Sequence, residues 1–152
     1  MADEDETARL ERMVAIACDH GGFALKEALK LALPDVRWLD LGTNGPESVD
    51  YPDFAHKLAD AIKDGKAGRG VLVCGSGIGI SIAANRHAHI RCALVHDVTG
   101  AQLCRQHNDA NVLALGGRTT GDVVAKDCVE AFLGTAFEGG RHQKRIDKLS
   151  SC

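Results

Sequence analysis

Five short apolar runs, separated by stretches of helical periodicity, constrain this chain more than any other feature of its sequence. They fall at 13–18, 36–41, 70–74, 91–95 and 112–115. Runs this short and this uniformly apolar read as strands buried on both faces, because a half-solvated strand alternates apolar with polar residues. Between them, Leu25, Ala28, Leu29 and Ala32 repeat at i, i+3, i+4 and i+7. Phe54, Leu58, Ala61 and Ile62 mark a second helix, and Val124, Cys128, Ala131 and Phe132 a later one. Further helices are expected over 80–86, 99–107 and 138–149. Pro34, Gly65 and Gly134 supply stops. Strands alternating with helices build a parallel sheet with helices on both faces, so the expected fold is α/β, a doubly wound, Rossmann-like sandwich of five strands. The 152 residues fit one such domain, expected over 13–152, and no internal repeat or linker divides it.

Glycine is in excess, with 17 residues where average composition gives about 11. Nine of them form four clusters: Gly21-Gly22, Gly75/Gly77/Gly79, Gly116-Gly117 and Gly139-Gly140. They follow no period, which excludes collagen and low-complexity linkers. Three clusters close the first, third and fifth runs. In a doubly wound sheet, ligands bind beyond the carboxyl ends of the strands, near the switch in strand order. The glycine excess therefore maps a candidate site.

Net charge is −3 and aromatics make up only 4%. The first argues against general affinity for nucleic acid, and the second against base-stacking platforms. No apolar run approaches 18 residues, so no membrane span is expected. The first twelve residues hold five acidic and two basic side chains. That is the reverse of a secretory signal, and the segment is expected as a disordered, solvated tail. Six cysteines without a Cys-x-x-Cys pair suggest packed thiols in a reducing cytoplasm.

Chemistry concentrates at the strand ends. Cys74-Gly75-Ser76-Gly77-Ile78-Gly79 closes a strand and opens a helix, where backbone N–H groups approach a ligand closely. A dinucleotide fingerprint would need glycine where Ile80 stands, and it belongs after the first strand. A cysteine at the start of a helix is favoured as thiolate, and the same amides can hold a developing oxyanion. Its bland alternative is a small packed cysteine before a turn. Asp19-His20 suits sugar hydroxyls or a phosphate, or else Asp19 caps a helix. His107 ends a helix, a place for a general acid or for an ordinary solvated histidine. Arg141, Arg145 and Lys148 share one helix face, and guanidinium forks match phosphate oxygens. Arg118 follows Gly116-Gly117 as another strand-end cation. His87-Ala88-His89 and His96 lack an acidic partner, so no metal set is expected.

Taken together, these residues resemble the ribose-5-phosphate isomerase B family, whose members include isomerases of allose and galactose 6-phosphates. The stretches that carry the likeness are Cys18-Asp19-His20, Asp50-Tyr51-Pro52, the run from Cys74 to Asn85, Arg105-Gln106-His107-Asn108-Asp109 and Glu138-Gly139-Gly140-Arg141-His142. The resemblance implies interconversion of D-ribose 5-phosphate and D-ribulose 5-phosphate through a cis-enediolate, without metal or organic cofactor. It implies Cys74 as the base between C1 and C2, with Ser76 and the amides of Gly75, Gly77, Ile78 and Gly79 holding the enediolate oxygen. His107 would open the furanose ring, with Asp19 and Asn108 on hydroxyls and Tyr51 lining the sugar site. His20, Arg118, Arg141 and Arg145 would surround the phosphate. The likeness also implies a homodimer or homotetramer with shared sites, in which His107, Asn108 and Arg118 serve the neighbour's pocket.

Two departures stand out. Ser76 replaces the threonine of many members and keeps the hydroxyl. Ile80 stands where a cysteine-free branch has its glutamate, so the cysteine type is indicated. Cys74 and His107 occur together, unlike the paired galactose-6-phosphate subunits, which favours a self-sufficient homo-oligomer. A six-carbon substrate such as allose 6-phosphate is the rival within the class. A non-catalytic phosphate or nucleotide sensor is the rival outside it.

Overall fold

The computed structural model describes residues 2–149, with side chains from residue 5 onward. Ser150, Ser151 and Cys152, at the end of the expected domain, lie outside the described residues. The chain runs α1 (Ala2–Glu11), β1 (Val14–Cys18), α2 (Phe23–Ala32), β2 (Trp38–Asp40), α3 (Tyr51–Lys63), β3 (Arg69–Cys74), α4 (Ile78–Ala84), β4 (Cys92–Leu94), α5 (Val98–Asn108), β5 (Val112–Gly116), α6 (Asp122–Gly134) and α7 (Arg141–Leu149). All five strands are parallel, in the order β2-β1-β3-β5-β4. The fold is the doubly wound α/β sandwich that the apolar runs imply.

Alternate strand residues feed two cores, as the two-residue repeat of a strand requires. Val14, Ile16, Cys18, Val71, Val73, Leu113 and Leu115 pack against α2, α5 and α6. Ala15, Ala17, Leu72, Cys74, Val112 and Ala114 pack against α3 and α4. β1 and β5 are buried along their whole length and β3 from Gly70 onward, whereas the edge strands β2 and β4 are half-buried and only three residues long. These edges are shorter than the apolar runs suggest, because each has a single neighbour to pair with.

Residues 2–11 form a helix, not the disordered tail that their acidic composition suggests. Glu6 and Arg9 pair at 3.8 Å across one turn, and Arg12 Nε donates to the Ala8 carbonyl at 3.1 Å. Arg9 in the last turn also sits where the helix dipole favours a cation.

One buried cation ties the edge of the sheet to α2. The face marked by Leu25 and Leu29 leaves Lys26 as a solvent-facing residue on periodicity alone, yet its side chain is 0% exposed. Its ammonium donates to Asp40 at 2.6 Å, Glu27 at 3.0 Å and Asn44 at 3.3 Å, which satisfies all three of its protons. Lys30 reaches the same Asp40 oxygen at 2.7 Å.

Candidate active site

The strand order turns back beside β1: β2 lies on one side of it and β3 on the other. Ligands of such sheets bind above that point. There the carboxyl ends of β1, β3 and β5 carry Asp19, Cys74 and the Gly116-Gly117-Arg118 turn. The Cys18↔Val73 and Cys74↔Gly116 pairings put the three ends level. Asp19, Tyr51, Cys74, Gly75, Ser76, Gly79, Arg118 and Thr119 line one cavity of about 350 Å³.

The loop after β3 is shaped by its own backbone. Gly77 caps α4 with φ of +77°, a left-handed conformation that other residues adopt only with strain. That turn sends the Gly77 N–H back to the sulfur of Cys74, which accepts it at 3.1 Å. Cys74 is 4% exposed, so its sulfur meets the cavity from the floor. Ser76 Oγ accepts from the N–H of Ile78 at 3.2 Å and remains half-buried at the mouth. The Tyr51 ring, at the start of α3, lies against Gly79 so closely that a side chain there would displace it. Asn85, at the far end of the same motif, both accepts from and donates to the backbone of Cys92, so its side chain fastens α4 to β4.

Asp19 does two things at once. Its Oδ1 accepts from the Gly22 N–H at 3.2 Å, capping the short 3-10 turn His20–Gly22, and its side chain also lines the cavity. His20 Nδ1 accepts from the Val49 N–H at 3.2 Å, so a neutral ring carries its proton on Nε2. Arg118 is held by its backbone, whose N–H donates to the Gly75 carbonyl at 2.9 Å. Its guanidinium lies beside Gly75 of its own chain. That differs from the expectation that Arg118 serves a neighbour, because the paired turns after β3 and β5 leave the side chain directly over the cysteine loop.

A second group forms elsewhere. His107 and Asn108 end α5, where Asp109 takes a left-handed cap at φ of +45° and binds Arg105 at 2.8 Å. Gly139 and Gly140, at φ of +68° and +56°, turn the chain into α7. α7 then buries His142 and Ile146 and leaves Arg141 and Arg145 exposed one turn apart. His107, Asn108, Arg141, His142 and Arg145, with Ile146 and Leu149, line a cavity of about 310 Å³. It shares no residue with the cysteine cavity. The rings of His107 and His142 stack with centroids 4.5 Å apart and planes 18° from parallel.

Spacing alone misses Glu138 and His142. Among the described residues, a group of three possible metal ligands occurs once, at His107, Glu138 and His142. The expectation of no metal set considered only His87, His89 and His96. His87 instead contacts His56 at 2.7 Å, and His89 bonds the Ala59 carbonyl at 2.7 Å. The signal that could have found the other group is the i, i+4 placement of Glu138 and His142 beside a helix-ending histidine.

Known proteins match this arrangement over nearly its whole length. The sequence profile of the family described as "Ribose/Galactose Isomerase" matches residues 14–149. A ribose-5-phosphate isomerase B of Escherichia coli is 45% identical over 142 residues, which are 92% of this chain and 95% of that protein. A putative sugar phosphate isomerase of Bacillus subtilis is 46% identical over 140 residues, 90% and 94% of the two chains. The crystal structure of a ribose 5-phosphate isomerase from Thermotoga maritima superposes with a TM-score of 0.90 at 46% identity, covering 92% of this chain and 98% of that one.

Proposed function

Because the chain belongs to the ribose/galactose isomerase family, within its ribose-5-phosphate isomerase B members, we propose that its paired cavities carry out the interconversion of D-ribose 5-phosphate and D-ribulose 5-phosphate. The protein is an isomerase. The observation that carries the assignment of roles is the Cys74 sulfur on the floor of an amide-walled cavity that also presents a carboxylate, a hydroxyl and a guanidinium.

Cys74 is the base. It removes the proton from C2 of the opened aldose, and the electron pair moves onto the carbonyl oxygen to give a cis-enediolate. Transfer of the hydroxyl proton from O2 to O1 and return of the first proton to C1 complete the ketose. The charge that develops on oxygen faces Ser76 and the amides of Gly75 and Gly79, while the N–H groups of Gly77 and Ile78 are taken up by the Cys74 sulfur and the Ser76 hydroxyl. Asp19 keeps one carboxylate oxygen for a sugar hydroxyl while the other caps the turn. Tyr51 closes the side of the cavity over Gly79. No metal or organic cofactor enters these steps.

His107 opens the furanose ring as acid and base, with Asn108 on a hydroxyl. His20, Arg118, Arg141 and Arg145 hold the phosphate. His107 and Arg141 line a different cavity from Cys74, which supports a site assembled from two copies, each copy completing the other's pocket. Exposed Ile78 and Ile82 on α4 and Leu149 on α7 are apolar surface for such a contact. Free thiols at Cys18, Cys74, Cys92, Cys104 and Cys128 support a cytoplasmic setting. Among the described residues, no helix is long and apolar enough to cross a membrane.

Incubation with ribose 5-phosphate in D2O tests the reading. Ketose should form with deuterium entering at the transferred carbon. Absence of both at any enzyme concentration overturns it. Comparing kcat/KM for ribose 5-phosphate and allose 6-phosphate in the same assay decides the carbon number.

A further inference from the structure

The last turn of α5 and the approach to α7 gather three side chains whose proximity the isomerase steps do not explain. One ligand atom from each of His107, Glu138 and His142 lies within 4.8 Å of the others. His142 is 5% exposed, and its Nε2 has no hydrogen-bond partner. The nearest carboxylate oxygen, on Glu138, stands 3.6 Å away, beyond hydrogen-bonding reach. A buried imidazole nitrogen left unpaired is costly, and such exceptions call for a ligand or a partner. Glu138 is exposed and His107 half-buried, so both side chains have room to swing toward the fixed His142 ring.

We propose that His107, Glu138 and His142 form a binding site for a divalent transition cation of the zinc class, and that filling it switches the isomerase off. The inhibitory half rests on the isomerase reading above; the binding half does not. Two imidazole nitrogens and one carboxylate oxygen are a donor set that zinc takes, with a fourth position left for water or a phosphate oxygen. Magnesium and calcium prefer all-oxygen sites and are disfavoured here. Zinc bonds of about 2.1 Å place tetrahedral ligands roughly 3.4 Å apart. The widest separation must therefore close by a little over an ångström, and the nearly parallel His107 ring must turn out of its stack on His142 so that both ring nitrogens face one ion.

Charge acts in both directions. Burial, then the charges of His107 and Arg141, hold His142 below the usual imidazole value against the pull of Glu138. Arg141 and Arg145 oppose a dication, but both are exposed and screened, and Glu138 supplies an opposing carboxylate. Ligated through its nitrogen, His107 has no lone pair left to take a proton from the sugar ring.

Zinc titrated into reduced protein against a chromophoric chelator should show one equivalent per chain at this site. Binding there should weaken at least tenfold in Glu138→Ala and in His142→Phe, the second of which keeps a ring in the stack. Turnover of ribose 5-phosphate should fall at least tenfold at saturating zinc and return with EDTA. Glu138→Ala should keep its metal-free turnover and resist zinc. Zinc affinity unchanged in both variants overturns the site, as does inhibition that persists in Glu138→Ala, which would put the ion on Cys74 or on the His56–His87 pair. Binding without inhibition overturns the regulatory half. Metal-free protein with no turnover sinks the isomerase reading and the inhibition with it, while the binding measurement still decides the site.

Discussion

The sulfur of Cys74 accepts a hydrogen bond from the N–H of Gly77, three residues on, at 3.1 Å. The bond fixes where the sulfur points and brings partial positive charge to it from a group that no side-chain substitution removes. It also explains why the left-handed Gly77 sits between the cysteine and α4: only this turn aims that amide backwards.

Replacing Cys74 by alanine or serine should lower kcat by about 10³, the usual scale for losing a general base. Sugar-phosphate binding should persist, because the cationic groups are untouched. Steady-state kinetics with calorimetric binding checks this; wild-type turnover in either variant would remove Cys74 as base.

Mixing two dead variants tests whether sites are shared. Cys74→Ala and His107→Ala chains, denatured together and refolded as random dimers, should recover about a quarter of wild-type activity. Half of the dimers are mixed, and each mixed dimer holds one intact site. No recovery above the separate variants would mean that each chain completes its own pocket.

Arg141→Ala and Arg145→Ala should each raise KM about tenfold or more with a smaller change in kcat. Charge-assisted forks to phosphate are made in ground and transition states alike. A large fall in kcat at unchanged KM would give the arginines a different task.

Much of this was legible in the sequence, and the part that was not has physical causes. Buried parallel strands are uniformly apolar, so β1, β3 and β5 stood out, and the glycines after them marked the cavity. Lys26 was hidden because periodicity assigns residues to faces without knowing what the chain brings opposite. Its partner Asp40 arrives from a strand 14 residues away. Acidic composition suggested disorder for the first residues, whereas pairing along α1 supports a helix. The separation of His107 from Cys74 within one chain is a matter of tertiary packing, which motif order does not encode.

Asp40 should set the acid limit of the fold. Its burial works to raise its carboxyl value, but hydrogen bonds from Lys26 and Lys30 outweigh that and hold it below the usual range. A depressed carboxylate contributes stability above its unfolded value near 4, which is lost as pH falls through the lower folded one. Asp40→Asn leaves the buried Lys26 ammonium with Glu27 as its remaining carboxylate partner and should cost about 2 kcal/mol at neutral pH. Its stability should then depend less on pH below about 4 than the wild type's does. Denaturant melts at pH 7 and pH 3 measure both effects, and equal losses at the two pH values would show that Asp40 is not the titrating group.

The β3–β5 ladder does not stop where the strands do. The N–H of Gly117 donates to the Cys74 carbonyl at 2.8 Å, and that of Arg118 to the Gly75 carbonyl at 2.9 Å. These two rungs prolong the sheet into the mouth of the cavity. Cys74 and its neighbouring cation Arg118 are thereby joined to the most protected part of the molecule rather than to a loose rim. Amide protons at Gly117 and Arg118 should exchange with solvent as slowly as those of the central strands. Warming should therefore abolish turnover and global structure in a single step, leaving no folded but catalytically slack intermediate.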